Sequence, residues 1–215
     1  MKYNIIYIDP PWDYNRKVGQ GCTTKYNRMT NQDIYNLPIN DIAADNCALI
    51  CWFTFPKLSE GVKAIESWGF TIKTVFVTWI KTNKNSNTPF FGVGTYTKSN
   101  AEVCMLCSKG NIADLLPPRR TTVDSSYNGK LRDDTISSVL LHKRLEHSEK
   151  PNEVRNMISR MFSDVPKIEV FARHRVSGWD SIGYGVDSMD ILESLNLVKN
   201  DQYKTEKYNI PLNDI

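Results

Sequence analysis

Four consecutive residues carry the densest chemistry in this chain. Asp9-Pro10-Pro11-Trp12 stand directly behind the apolar run Ile5-Ile6-Tyr7-Ile8. The two prolines fix φ at about −65° and remove two N–H donors, so the chain leaves the strand in a rigid extended turn. Carbonyls in such a turn cannot fold back into a helix, and they stay free to accept hydrogen bonds. The Asp9 carboxylate adds a further acceptor, and the Trp12 indole adds a flat apolar face. Acceptors beside an aromatic plate suit a planar ring with an exocyclic amino group, such as adenine. The same four residues would also make a plain strand-terminating turn with a core tryptophan, so the rest of the chain has to decide.

A second group lies late in the sequence. His147-Ser148-Glu149-Lys150-Pro151 precedes a helical stretch, followed by Ile168-Glu169-Val170-Phe171-Ala172-Arg173, then Gly178-Trp179-Asp180 and Gly183. Lys150 sits just before a helix start and Arg173 just after a strand, so both are expected at the same sheet edge as Asp9. A cationic pair there suits a carboxylate or a phosphate. Solvated surface charge is the ordinary fate of such residues.

The elements that must hold these groups alternate. Strand-like runs fall at 5–8, 48–53, 71–80, 101–107, 139–142 and 168–171. Thr30-Asn31-Gln32-Asp33 reads as a capped helix start that Pro38 ends. Pro56 opens a second helix with Leu58, Val62, Ile65 and Trp68 on one face, closed by Gly69. A third begins at Pro151, with Val154, Met157, Ile158 and Met161 as its apolar stripe. Alternation of this kind predicts an α/β fold with a mostly parallel, doubly wound sheet, whose ligands bind beyond the carboxyl ends of the strands. Residues 82–98 and 110–134 break the pattern as long polar loops, a length that marks function or disorder. Residues 1–198 read as a single domain, and residues 199–215 as a polar tail on which no structure is forced.

Composition narrows the class. With 40% hydrophobic and 24% charged residues the chain reads as an ordinary globular protein. A mean hydropathy of −0.42 and the lack of a long apolar run argue against a transmembrane helix. The N-terminus runs straight into the first strand, which leaves no room for a signal peptide, and a cytoplasmic location is expected. The five cysteines are unevenly spaced, and Cys47, Cys51, Cys104 and Cys107 lie in apolar runs, as buried thiols of a reducing compartment would. Cys104 and Cys107 lack a second ligand pair and point to opposite faces of a strand, so no metal site is expected. The net charge of +3 is compatible with nucleic acid without arguing for it.

Taken in order, these landmarks resemble the MT-A-type adenine-N6 methyltransferases. That family is named for the catalytic subunit that methylates eukaryotic messenger RNA, and it has compact bacterial and phage members. The resemblance runs over residues 3–185. It rests on the Asp-Pro-Pro-Trp box, Lys25-Tyr26-Asn27-Arg28-Met29-Thr30, Trp52-Phe53-Thr54, Trp68-Gly69-Phe70 and Trp79-Ile80-Lys81. It continues through Gly92-Val93-Gly94-Thr95-Tyr96-Thr97-Lys98-Ser99-Asn100-Ala101-Glu102, the His-Ser-x-Lys-Pro helix start, Phe-Ala-Arg and Gly-Trp-Asp.

The resemblance implies a Rossmann-like fold dependent on S-adenosyl-L-methionine, with permuted motifs: the catalytic box first, the cofactor strand near the end. It implies catalytic roles for Asp9, Pro10, Pro11 and Trp12, with Asp9 also near the cofactor. Lys150 would pair with the methionine carboxylate, Arg173, Arg175 and Ser177 would lie near the ribose, and Gly183-Tyr184-Gly185 near the adenine. Relatives often carry Gly-Asn-Glu or Gly-Asn-Gln at that last segment, so Asp187 is expected to take over the ribose contact. Lys98 stands where an Arg is common, which keeps the charge and loses the bidentate fork.

Substrate contacts are expected from Trp12, Tyr14, Lys25, Tyr26, Lys81, Tyr96, Lys98, Asn100, Glu102, Arg119 and Arg120. The two loops also bring Lys84, Lys130, Arg132 and Tyr127 toward a phosphate backbone. Asp9 and the Pro10 carbonyl would accept the two N6–H bonds, and Trp12 would stack on the base. The absence of zinc-finger or other RNA-binding appendages favours DNA over RNA as the polymer. A non-catalytic nucleic-acid-binding partner subunit is the rival from another class, and the oligomeric state is not legible.

Overall fold

The computed structural model describes residues 1–13, 29–94, 96–146 and 148–203. Seven strands are formed: β1 (Tyr3–Ile8), β2 (Ala43–Phe53), β3 (Thr71–Thr82), β4 (Ala101–Lys109), β5 (Val139–Lys143), β6 (Lys167–Val170) and β7 (Asp180–Ile182). They make one sheet in the order β5-β3-β4-β2-β1-β6-β7. β1 pairs in parallel with β2 and β6, β6 with β7, and β3 with β5. β4 alone runs the other way, antiparallel to both β2 and β3. This is an α/β, Rossmann-like architecture, and the expected mostly parallel sheet is present with one reversed strand.

β1 shows why its sequence is apolar without alternation. Ile6 and Ile8 enter one core layer, while Ile5 and Tyr7 enter the other. A strand covered on both faces needs apolar residues at every position. The first layer holds α1 (Asn31–Tyr35), α2 (Ile39–Ile42), α3 (Leu58–Ser67) and α6 (Ile191–Lys199) through Ile34, Ile39, Ile65, Leu195 and Val198. The second holds α4 (Glu153–Met161) through Val154, Met157 and Ile158. Each such side chain taken out of water contributes roughly 1.5–3 kcal/mol.

Local signals set the helix ends. Thr30 and Asp33 make a reciprocal capping box at α1. Gly69, at φ +80°, turns the chain after α3, where Trp68 N–H and Gly69 N–H donate to the Ala64 and Glu66 carbonyls. The inward face of α3 differs from the expected stripe, because Leu58 is exposed and Gly61, Ala64 and Ile65 are buried. The helix lies so near Phe53 that a Cβ on Gly61 would stand 2.7 Å from its ring. Close approach thus favours the face with small residues. α4 is clamped to the sheet by Arg155, whose guanidinium donates to both oxygens of Glu169 on β6 at 2.6 and 2.7 Å.

Two elements carry no strong sequence signal. β7 has three residues, two of them polar, and α6 follows the short helix α5 (Tyr184–Asp187). The polar tail is also docked at its start, where the Tyr203 hydroxyl lies 3.0 Å from the Ser181 carbonyl. No helix among the described residues is long and apolar enough to cross a membrane.

This topology places a crevice. β1 and β6 are neighbours, and from their carboxyl ends the chain departs in opposite directions, to β2 and to β7. That reversal is where an open α/β sheet takes its ligands. Asp9 leaves one side of the crevice and Phe171-Ala172-Arg173 the other.

Candidate active site

At the end of β1 the two prolines act as expected, and the turn closes further than an extended one. Trp12 N–H donates to the Pro10 carbonyl at 2.9 Å across Pro11. The carbonyl expected to be free therefore has one partner, and one lone pair remains. The same turn folds the indole inward. Trp12 is 6% exposed and packs in the core layer of α1 and α3. Its Nε1–H donates to the Trp52 carbonyl at 3.1 Å. The expectation that Trp12 offers an open stacking face is corrected: its ring supports the turn from below.

Asp9 stays at the surface of the crevice, its side chain 27% exposed. Its Oδ2 takes the Lys150 ammonium at 2.6 Å. Lys150 also lies 3.4 Å from Glu102 Oε2, and Glu102 Oε1 in turn accepts from Lys81. Asp9, Lys150, Glu102 and Lys81 thus form a chain of alternating charge. Beneath it lies an aromatic floor. Lys150 Nζ stands 5.6 Å from the Trp52 ring and Lys81 Nζ 4.8 Å from the Trp79 ring. Trp52 is fixed by its Nε1–H, which donates to the Tyr7 hydroxyl at 2.7 Å. Such a floor keeps the local dielectric low and strengthens each pair above it.

The charges respond accordingly. Burial pushes the Asp9 carboxyl above its ordinary range; Lys150 and Arg173 pull it down and Glu102 pushes it up. Burial also opposes the charge on Lys150, but Asp9 and Glu102 reverse this and hold the ammonium above its ordinary value. Glu102 would rise through burial, yet the charges of Lys150 and Lys81 hold it below its usual range. The arrangement is a carboxyl that burial raises, held by an amine whose charge its two acidic neighbours reinforce.

Across the crevice the chain is tightly folded. Phe171, directly after β6, takes φ +66°, a strained value for a bulky residue. Gly183, at φ +148°, passes so close that a Cβ would lie 2.8 Å from Ala172 N, and one on Gly185 would lie 2.9 Å from Arg173 Cα. Glycine at both positions is a steric need of this backbone approach. Tyr184 between them is exposed. Arg175 donates to the Val186 carbonyl at 3.1 Å, and Ser177 is half-buried in the loop before β7. The Asp187 carboxylate accepts from Gly183 N–H, Met189 N–H and the hydroxyls of Ser194 and Tyr203, at 2.9 to 3.3 Å. Four donors fill its acceptor capacity. The expected Asp187 contact to a ribose is therefore corrected, since this carboxylate holds α5 and α6 in place.

The expected substrate residues divide by sheet edge. Lys81 and Glu102 belong to the Asp9 cluster, and Asn100 pairs at its root, its carbonyl accepting Lys81 N–H at 2.8 Å. Tyr96 and Lys98 are exposed on the connection from β3 to β4, on the carboxyl edge with Asp9. Arg119 and Arg120 do not join them. Because β4 is reversed, residues 110–138 begin and end at the opposite edge, where Lys109 pairs with Cys47. There Arg119 lies 3.5 Å from Asp134, Arg132 donates to the Pro117 carbonyl, and Lys130 donates to the Ser159 and Phe162 carbonyls. Placing this loop at the substrate is corrected by strand direction. Tyr14, Lys25 and Tyr26 lie outside the described residues. Sequence reasoning named Glu102 and Lys81 without seeing that they link to Lys150, because only the β3–β4 pairing brings them together. Among the described residues no His, Cys, Asp and Glu group could hold a metal ion.

Comparison with known proteins fits this geometry. A family model described as MT-A70 matches residues 3–185. The type II methyltransferase M.MunI of Mycoplasma sp is 32% identical over 201 residues, covering 85% of this chain and 77% of that protein. The human N(6)-adenosine-methyltransferase catalytic subunit METTL3 is 26% identical over 195 residues, 89% of this chain but 30% of that one. The N6-adenosine-methyltransferase non-catalytic subunit MTB of Arabidopsis thaliana is 28% identical over 138 residues, 63% of this chain and 17% of that one.

Proposed function

The chain belongs to the MT-A70 family of adenine-N6 methyltransferases, and we propose that it transfers a methyl group from S-adenosyl-L-methionine to the N6 amine of adenine in DNA. One observation carries the reading. A buried-edge carboxylate, Asp9, stands at the switch-point crevice, held by Lys150 at 2.6 Å on one oxygen only. Among the described residues, the hydrogen bond to this carboxylate is made at Oδ2, and its side chain is 27% exposed.

The residues of the crevice fit the cofactor by their chemistry. Asp9 and Arg173 offer opposite charges at the two strand ends, as an amino acid joined to a sulfonium requires. Lys150 has three N–H donors, and Asp9 and Glu102 engage two, which leaves one for a carboxylate. Exposed Tyr184 and the backbone of Gly183 and Ala172 form the wall where an adenosine would lie. Bound there, S-adenosylmethionine supplies an electrophilic methyl group.

The chain's own residues do the rest. The amine of adenine is a poor nucleophile while its lone pair is delocalised into the ring. Asp9 Oδ1 and the remaining lone pair of the Pro10 carbonyl accept its two N–H bonds and turn that lone pair outward. Asp9 also stabilises positive charge developing on the nitrogen, above the aromatic floor of Trp52 and Trp79. Lys150 fixes the carboxylate's orientation. The methylated amine is acidic, and Asp9 Oδ1 is the adjacent acceptor for its proton.

DNA is favoured over RNA by the extent of similarity. The chain parallels most of a compact type II methyltransferase, while it spans less than a third of METTL3, whose name specifies adenosine, a ribonucleoside. The test uses labelled S-adenosylmethionine with matched DNA and RNA, single- and double-stranded, and mass spectrometry of the nucleosides. N6-methyldeoxyadenosine is expected. Product in RNA alone would move the reading to RNA, and cofactor binding without any product would favour a partner subunit.

A further inference from the structure

We propose that the connection from β3 to β4 is a strand-opening wedge. Phe91, Val93 and Tyr96 enter duplex DNA beside the target adenine and occupy the space that the base leaves. The inference rests on the proposed reaction for its polymer, and on separate observations for its residues.

Position comes first. Lys81 at the end of β3 and Glu102 at the start of β4 are the two roots of this connection, and both belong to the charge chain that ends on Asp9. The tip therefore projects from the same sheet edge as the reactive carboxylate. Exposure comes second. Phe91, Val93 and Tyr96 are 69%, 94% and 98% exposed, the three highest values for large apolar side chains among the described residues. A chain that leaves its three most exposed apolar groups within six residues forgoes burial it could have had, which marks an interaction surface.

The tip is also preformed. Asn83 N–H donates to the Thr88 carbonyl at 3.0 Å, and its side-chain amide donates to Thr88 Oγ1 at 2.9 Å. Phe90 N–H donates to the Lys81 carbonyl at 2.7 Å, and the Arg144 guanidinium sits 4.7 Å from the Phe90 ring. Beyond this anchor the chain doubles back on itself. A Cβ on Gly92 or Gly94 would fall 2.2 or 2.0 Å from the carbonyl oxygens of Ser99 and Thr97. Part of the ordering cost of a wedge is thereby met at its root before DNA arrives.

Charge selects the occupant. Residues 83–100 contain Lys84 and Lys98 and no carboxylate. Beside the loop's base, a hollow of about 530 Å³ is lined by Asn83, Lys84, Asn85, His142 and Lys143. Lys84 lies 3.2 Å from Glu146 and His142 3.3 Å from Glu153 at the rim, while Lys98 stands exposed within the acid-free connection itself. Amides with that exposed cation suit a phosphate backbone, whereas a protein partner would be met by the apolar tip alone. Apolar side chains that enter between bases are a known way to offset the loss of stacking when a nucleotide is extruded.

The experiment compares the wild type with the triple variant Phe91→Ser, Val93→Ser and Tyr96→Ser. These side chains are exposed, so the thermal midpoint should not move. On a duplex carrying a site mapped from wild-type methylation, kcat/KM should fall about 10–100-fold, as when aromatic stacking on bases is removed. With an abasic position opposite the target adenine, the variant should recover to within about threefold, because that base needs no wedge to leave. Equal losses on both duplexes, or no loss on either, would overturn the proposal. Permanganate reactivity of thymines in bound duplex DNA reports unstacking without methyl transfer. It should rise with the wild type and stay at the free-DNA level with the variant. An equal rise with both proteins, or none with the wild type, would also overturn it and return the patch to a protein contact. A wild type that raises permanganate reactivity yet methylates no DNA would sink the proposed reaction and keep the wedge.

Discussion

Two long connections flank β4, and they serve opposite edges of the sheet. Residues 83–100 enter the strand at the carboxyl edge, and residues 110–138 leave it at the amino edge. Both are long and polar with scattered cations, and the second alone carries carboxylates, at Asp114, Asp124, Asp133 and Asp134. Their cations behave differently. In the second loop Lys130 and Arg132 are drawn onto carbonyls and Arg119 lies near Asp134, while Leu115 inserts into the core. In the first, Lys84 lies 3.2 Å from Glu146 at the base, while Lys98 and three large apolar groups face solvent at the tip. The direction of one strand, rather than loop content, determines which connection can meet a substrate beside Asp9.

The comparison can be stressed from the scaffold outward. Arg155→Ala should have the largest effect, about 3–5 kcal/mol of unfolding free energy, because Glu169 would be left charged, buried and unpaired. Denaturant titration measures it, and a loss under about 1 kcal/mol, the worth of an exposed pair, would show that the clamp between α4 and β6 is dispensable.

Lys150→Met acts on the carboxyl edge itself. It should reduce kcat by about 10–100-fold, within the usual range for removing a group that positions and charges a catalytic carboxylate. It should also change the pH profile. Burial already holds Asp9 above its ordinary range, so activity should fall as pH drops through that raised pKa and protonation removes the acceptor. Loss of the ammonium removes a lowering influence, and the acid limb should move to still higher pH. Lys150 in the wild type is held above its ordinary value, so it should add no basic limb near neutrality. An acid limb that stays in place in the variant would separate Lys150 from Asp9.

Charge reversal sharpens the contrast between the loops. Lys84→Glu with Lys98→Glu should weaken DNA binding and make its salt dependence shallower, by about one unit of slope for each phosphate no longer engaged. Arg119→Glu with Arg120→Glu should leave that slope unchanged, the smallest effect of the set. Salt titration of affinity distinguishes the two pairs, and a flattened slope in the second pair would put the amino-edge loop back on the nucleic acid.

Much of the frame was legible because its signals are local. The apolar run of β1 ends at Asp9 in sequence as it does in space. Pro151 and the stripe of Val154, Met157 and Ile158 mark α4, and with it the place of Lys150. The reversal of β4 was not legible, since antiparallel and parallel neighbours differ in pairing over long sequence distances and not in composition. Trp12 illustrates the same limit: whether an indole faces out or in depends on the Trp52 carbonyl, supplied 40 residues later. Asp187 looked available as a lone acid, and its four donors come from α5, α6 and the tail. The three residues of β7 were too short and polar to show any period.

Asp9→Asn tests the central claim most directly, with cofactor affinity by calorimetry beside nucleoside mass spectrometry after incubation with DNA. The substitution keeps the shape of the side chain and replaces the acceptor oxygen pair with an amide. The account predicts N6-methyldeoxyadenosine from the wild type and, at saturating cofactor, at least about a 100-fold slower rate from the variant, with cofactor binding weakened by the lost charge but still measurable. Product formation by the variant at the wild-type rate would contradict it.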